Sequence, residues 1–218
     1  MAAAGESVPD LAYRLAYENE STYGGCSQSV IKALMDVFDL DLRDVLKASQ
    51  PLAGGLSVYA RGSCGALAGG MLVMGYVYGR SVEELPKGPK AKTYLITRRL
   101  LEEFEAEFGS VSCPDIQRKL MGRSFDLLKE EDWNEFLEKG GHRDKCPHVC
   151  GTVAKLTARI LMERGVPLRK AAGSSRSIAP AENTTACGFE IAGRCYSIMS
   201  KKAPTFRGGG ELLPCCAV

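Results

Sequence analysis

No Cys-x-x-Cys pair, no apolar run of membrane length and no excess of either charge occurs in this chain of 218 residues. Each absence removes a class of protein. Without Cys-x-x-Cys there is no thioredoxin-type motif, no zinc ribbon and no closely spaced ferredoxin ligand run. Without Cys-x-x-Cys-His there is no attachment site for c-type haem, and none is expected. The uncharged stretch from Gly65 to Gly79 is fifteen residues long, short of the roughly 20 that a spanning helix needs, so no membrane span is expected. The formal charge is only +2, which gives no global reason to bind nucleic acid or an anionic membrane. The basic residues after Gly165 lack interleaved aromatics, which argues further against nucleic acid. The first residues lack the basic and apolar regions of a secretory signal, so a cytoplasmic location is expected. Strand-like alternation is missing as well. Histidine occurs twice, at His142 and His148, and both read as solvent-facing neighbours of a helix start.

What remains is a helical pattern. Apolar residues recur at helical spacing over Asp10 to Asn19, over Ser27 to Phe38 and over Lys92 to Phe108, where Gly109 provides the stop. Gly65 to Gly79 reads as a buried helix whose Gly65, Gly69 and Gly70 let another backbone approach. A shorter helix follows Cys113, another covers Ser124 to Lys139, and the last strong one opens at Cys146-Pro147 and ends at Gly165. The expected fold is all-α, a compact bundle of about six helices over residues 1–164. Residues 165–218 form a loop-rich, basic, glycine-containing tail, with seven Lys/Arg against three Asp/Glu.

Nine cysteines are present: Cys26, Cys64, Cys113, Cys146, Cys150, Cys187, Cys195, Cys215 and Cys216. In a chain without an export signal they favour metal ligation or redox work over structural disulfides. Any single cysteine is as readily a small core hydrophobe. Their placement is less ordinary. Cys26, Cys64, Cys113 and Cys146 each stand at the expected start of a helix, Cys113 and Cys146 as N-caps before a proline. Cys150 follows one turn after Cys146, on the same face. The positive end of a helix favours thiolate, the form that attacks disulfides and binds soft metals.

The segments GGCSQSVIKAL (24–34), GSCGALAGG (62–70), FEAEFGSVSC (104–113) and CPHVCGTVA (146–154) together resemble the C_GCAxxG_C_C family. This is a group of redox-active bacterial and archaeal proteins similar to a domain of the split-Soret cytochromes. The resemblance runs from about residue 8 to 164 and leaves the tail outside. It implies a helical domain in which Cys26, Cys64, Cys113 and one of Cys146 or Cys150 are marked positions, holding an iron–sulfur cluster or acting as a redox thiol set. One departure matters: the family pattern reads Gly-Cys-Ala where this chain reads Cys64-Gly65-Ala66, which leaves the register open.

The leading expectation is a redox protein that binds an iron–sulfur cluster, or another metal, through cysteines at helix starts and transfers electrons. The alternatives are metal-free thiol–disulfide chemistry and an accessory subunit whose tail docks on an oxidoreductase partner. In that last case Cys187, Cys195, Cys215 and Cys216 would form a second site. Scattered ligands also permit a site shared between two chains, a homodimer.

Overall fold

The computed structural model describes residues 5–169; the tail cysteines Cys187, Cys195, Cys215 and Cys216 lie outside the described residues. Eight α-helices follow one another: α1 (Val8–Tyr23), α2 (Cys26–Val37), α3 (Arg43–Ala48), α4 (Gly65–Tyr78), α5 (Ala91–Phe108), α6 (Cys113–Met121), α7 (Glu130–Glu138) and α8 (Cys146–Glu163). Among the described residues there is no strand, only two isolated bridges, so the all-α expectation holds. No helix there is long and apolar enough to cross a membrane.

Helix α8 is the hub, packed against α1, α2, α4 and α5. Its apolar stripe of Val149, Val153, Ala154, Ile160 and Leu161 is buried in one core with Val30, Ile31 and Leu34 of α2 and Leu100 and Phe104 of α5. Burying a side chain of this size contributes roughly 1.5–3 kcal/mol, and this shared core carries the fold. Outside it, Arg99 and Arg159 bridge α5 and α8 through Glu163 and Glu103. Helices α2 and α4 come close at Gly69, where a Cβ would stand 2.5 Å from the Ser27 carbonyl oxygen. The close backbone approach expected of the α4 glycines is realised there.

Two elements differ from the sequence reading. The span Ser124 to Lys139 is not one helix: α7 occupies only Glu130–Glu138. Upstream, the Asp126 N–H donates to Asp132 Oδ2 (2.7 Å) and the Phe125 N–H to Gln117 Oε1 (2.9 Å). These side-chain acceptors tie the Phe125 and Asp126 amides into a turn ahead of α7. The short α3 begins within the polar stretch Asp39 to Asp44, where no helix is expected, and is too brief to show a period. Beyond α8 the chain turns back onto the end of α2, where the Asp39 N–H donates to the Pro167 carbonyl and the Arg169 N–H to the Val37 carbonyl (3.0 and 2.9 Å).

Candidate redox site

Local chain chemistry delivers five cysteines to one place. Between α1 and α2 the glycines Gly24 and Gly25 both adopt left-handed φ, +68° and +78°, so the chain reverses within two residues and α2 begins at Cys26. Cys64 and Cys113 are brought together by an antiparallel bridge between Ser63 and Ser112. Across it the Cys64 N–H donates to the Val111 carbonyl (2.8 Å) and the Cys113 N–H to the Gly62 carbonyl (2.9 Å). The starts of α4 and α6 therefore lie side by side. Cys146 arrives through a π-helical turn, Gly141–Lys145, that runs straight into α8. Its own N–H is already bonded to the Gly141 carbonyl.

The helix starts are close to those expected, with one correction. Cys113 and Cys146 are not N-caps; like Cys26 they are the first residues of their helices, with proline second in α6 and α8. Only Cys64 is an N-cap. The register question also has a physical answer. Cys64 reaches the site, whereas a Cβ at Gly65 would stand 2.5 Å from Cys26 Sγ and 2.7 Å from the Leu52 carbonyl oxygen. A side chain at position 65 would displace a sulfur.

All five cysteines line a single cavity of about 260 Å³. None is in a disulfide. Cys64, Cys113 and Cys150 are buried, while Cys26 and Cys146 retain some accessible surface. The remaining wall is mainly apolar or aromatic: Val58, Ile116, Leu120, Met121, Leu127, Trp133 and Phe136. Trp133 and Phe136 stack with ring centres 6.1 Å apart. Two sulfurs already have polar neighbours. The Gly54 N–H lies 3.5 Å from Cys26 Sγ, and the Cys150 thiol donates to the Cys26 carbonyl oxygen at 3.7 Å.

The expectation that helix starts make these cysteines thiolates is overturned for the metal-free chain. Burial pushes all five thiols upward, Cys26, Cys146 and Cys150 well above their ordinary range. For those three the next cause is the charge of Glu20, followed by neighbouring cysteines. At Cys64 the Leu67 and Ala66 amides pull the other way without closing a capping hydrogen bond, and burial still wins. The magnitudes explain the outcome: a helix terminus is worth up to about 2 kcal/mol, while full burial shifts a titration by roughly 3–5 units at about 1.4 kcal/mol each.

Glu20 is not among the candidates read from the sequence, and His142 is set aside there as a solvent-facing neighbour of Cys146. Glu20, in the last turn of α1, lines the cavity with only 2 % of its side chain exposed. Ser29 Oγ donates to its Oε2 (3.0 Å), and His142 Nδ1 stands 3.2 Å from its Oε1 without hydrogen-bond alignment. A carboxylate this buried costs several kcal/mol unless partnered, and the Ser29 hydroxyl is its hydrogen-bond partner here. His142 is turned inward against Trp133 and Phe136, contrary to its solvent-facing reading. His148 is exposed as expected, 2.9 Å from the Tyr13 hydroxyl.

One wall of the cavity is built from unusual backbone. Five consecutive residues, Gly54, Gly55, Leu56, Ser57 and Val58, have φ of +59°, +72°, +71°, +48° and +54°. Left-handed backbone costs a non-glycine residue about 1–2 kcal/mol, and it is ordinarily visited by single residues. β-Branched Val58 is especially ill suited to it. The run is held by hydrogen bonds from the Ser57 N–H to the Pro51 carbonyl (2.7 Å) and from the Val58 N–H to the Ala53 carbonyl (2.9 Å).

Among the described residues no group of three or more His, Cys, Asp or Glu side chains is placed to hold a single metal ion. The donors instead surround a space larger than one ion. No curated protein and no solved structure matches the chain. The family described as "Putative redox-active protein (C_GCAxxG_C_C)" matches residues 25–160, a span that contains all five cavity cysteines, and the chain belongs to that redox family.

Proposed function

We propose that this protein is an electron carrier that holds an iron–sulfur cluster in the cysteine cavity. The observation that carries the reading is the convergence of five thiols, from the starts of α2, α4, α6 and α8, on one cavity of about 260 Å³. Thiolate is the ligand that iron–sulfur clusters take from protein. The residues fit such a group in three respects. The donor chemistry is right, the donors enclose a volume rather than a point, and glycines at 55 and 65 leave room where a Cβ would strike Cys113 or Cys26.

Cys26, Cys64, Cys113 and Cys146 would hold the group. Cys150 is the spare: it is fully buried and its thiol is already engaged with the Cys26 carbonyl, while Cys146 keeps accessible surface. The bound group would supply a one-electron couple. The protein's own part is to exclude water with Trp133, Phe136 and Leu127 and to aim the Gly54 N–H at Cys26 Sγ. Hydrogen bonds to sulfur and burial are the levers by which a protein sets such a potential. Because the free thiols are protonated, loading must release protons, so it is favoured as pH rises.

Anaerobic reconstitution with iron and sulfide tests the reading. The expected result is a coloured protein with matched iron and sulfide, bleached reversibly by reductant. Alanine at Cys26, Cys64, Cys113 or Cys146 should abolish loading, and Cys150→Ala should retain it. A colourless product would overturn the proposal. Reversible oxidation of a cysteine pair in that colourless protein would establish thiol–disulfide chemistry instead.

A further inference from the structure

We propose that the left-handed run 54–58 is a sulfur clamp whose fold depends on the cysteine cavity being loaded, with Gly54 and Gly55 as its positioning residues; this rests on the cluster reading above. The geometry points to it from both sides of the turn. Gly54 aims its N–H at Cys26 Sγ. The next residue, Gly55, leaves the space for Cys113, since a Cβ there would stand 2.5 Å from Cys113 Cβ and 3.1 Å from its Sγ. One turn therefore touches the sulfurs of two helix starts that belong to different parts of the chain, α2 and α6.

Such a conformation persists only where its surroundings over-determine it. The hydrogen bonds around the run are largely local: Ser57 to Pro51, Val58 to Ala53, Ala60 to Gly54, and Arg61 and Gly62 to Gly55. The hydrogen bonds that tie it to distant parts of the chain are the one from the Gly54 N–H to Cys26 Sγ and one from the Leu127 N–H to the Val58 carbonyl (3.0 Å). A group that fixes Cys26 and Cys113 fixes the two points against which the turn is sprung. By linkage, a turn favoured by the loaded site must in return favour loading. Tyr59 and Arg61, with the guanidinium 4.8 Å above the ring, sit on the outer side of the same turn. The state of the cavity is thus expressed at that surface.

The test is amide hydrogen exchange on the full chain, cluster-free and reconstituted, with iron content measured first. The expected result is that loading slows exchange at Ser57, Val58, Ala60, Arg61 and Gly62 by about tenfold or more, while core amides of α5 and α8 change little. Ser57→Gly is the key variant, because Ser57 is exposed and relieves left-handed cost without touching a sulfur. It should protect the turn in the cluster-free chain and shrink the difference, with iron content unchanged. Gly55→Ala should lower iron content and leave the turn unprotected in both states. Three results would overturn the clamp in a chain that does load iron. They are equal protection of 57–62 in both states, loss of protection spread equally over α5 and α8, and no effect of Ser57→Gly. A wild-type chain that loads no iron overturns the cluster reading and this inference together.

Discussion

At the scale of single residues, Glu20 is the group whose removal is most informative. Its charge is the first cause after burial for the raised thiols of Cys26, Cys146 and Cys150. Glu20→Gln keeps the shape and an acceptor for Ser29 but deletes the charge. The thiols of those three cysteines should then titrate at lower pH, which the pH dependence of alkylation rate would record; unchanged profiles would show that Glu20 is too well screened to matter. Nothing in the sequence distinguishes Glu20 from its neighbour Glu18, which pairs with Arg14 at the surface. Only the turn at Gly24 and Gly25, which folds α2 back beside α1, buries one and leaves the other in water. The cysteines were legible because their residue type carries the chemistry wherever the fold sends it.

At the scale of elements, the helix periodicity and the proline and glycine punctuation located seven of the eight described helices, α7 with its start drawn too early. The failures have local causes. The stretch after Ser124 looks helical by composition, but Asp132 and Gln117 capture its amides. The turn 54–58 holds Leu56, Ser57 and Val58 in a conformation that their side chains disfavour, so propensity pointed away from it. Of the α4 glycines read as points of backbone approach, Gly65 and Gly69 are such points, while Gly70 meets the side chains of Thr157, Val153 and Leu100. Gly69→Ala is expected to destabilise the fold by about 1–3 kcal/mol, since the new methyl meets the Ser27 backbone rather than a movable side chain. Urea unfolding measures it: the midpoint should fall with the slope unchanged, and an unaltered midpoint would mean that α2 and α4 can slide apart freely.

At the scale of the whole molecule, the cavity makes stability depend on pH. The five thiols are raised in the folded, metal-free chain relative to an unfolded value of about 8.5. A raised group holds its proton more tightly when folded. Its contribution is therefore complete below the unfolded value and is lost as pH climbs from there towards the folded value. Metal-free protein should lose stability above about pH 8.5, by up to about 1.4 kcal/mol per pH unit for each thiol ionised in the unfolded chain alone. Thermal unfolding between pH 7 and 10 checks this, and a flat profile would mean that water reaches the sulfurs. Loading should reverse the trend, because thiolates bound to metal have already given up their protons.

The sequence by itself determined the all-α class, the starts of the four cysteine-bearing helices to within a residue, and the family, because each of these is written in local spacing and residue type. Tertiary structure alone decided that the five thiols face one cavity, that burial raises their titration when no metal is bound, and that Glu20, His142 and a left-handed turn complete the wall. Those properties arise from burial and from contacts between segments far apart in the chain. A helix start favours a thiolate by its own dipole, but whether the thiolate forms depends on how much water the rest of the fold leaves beside it.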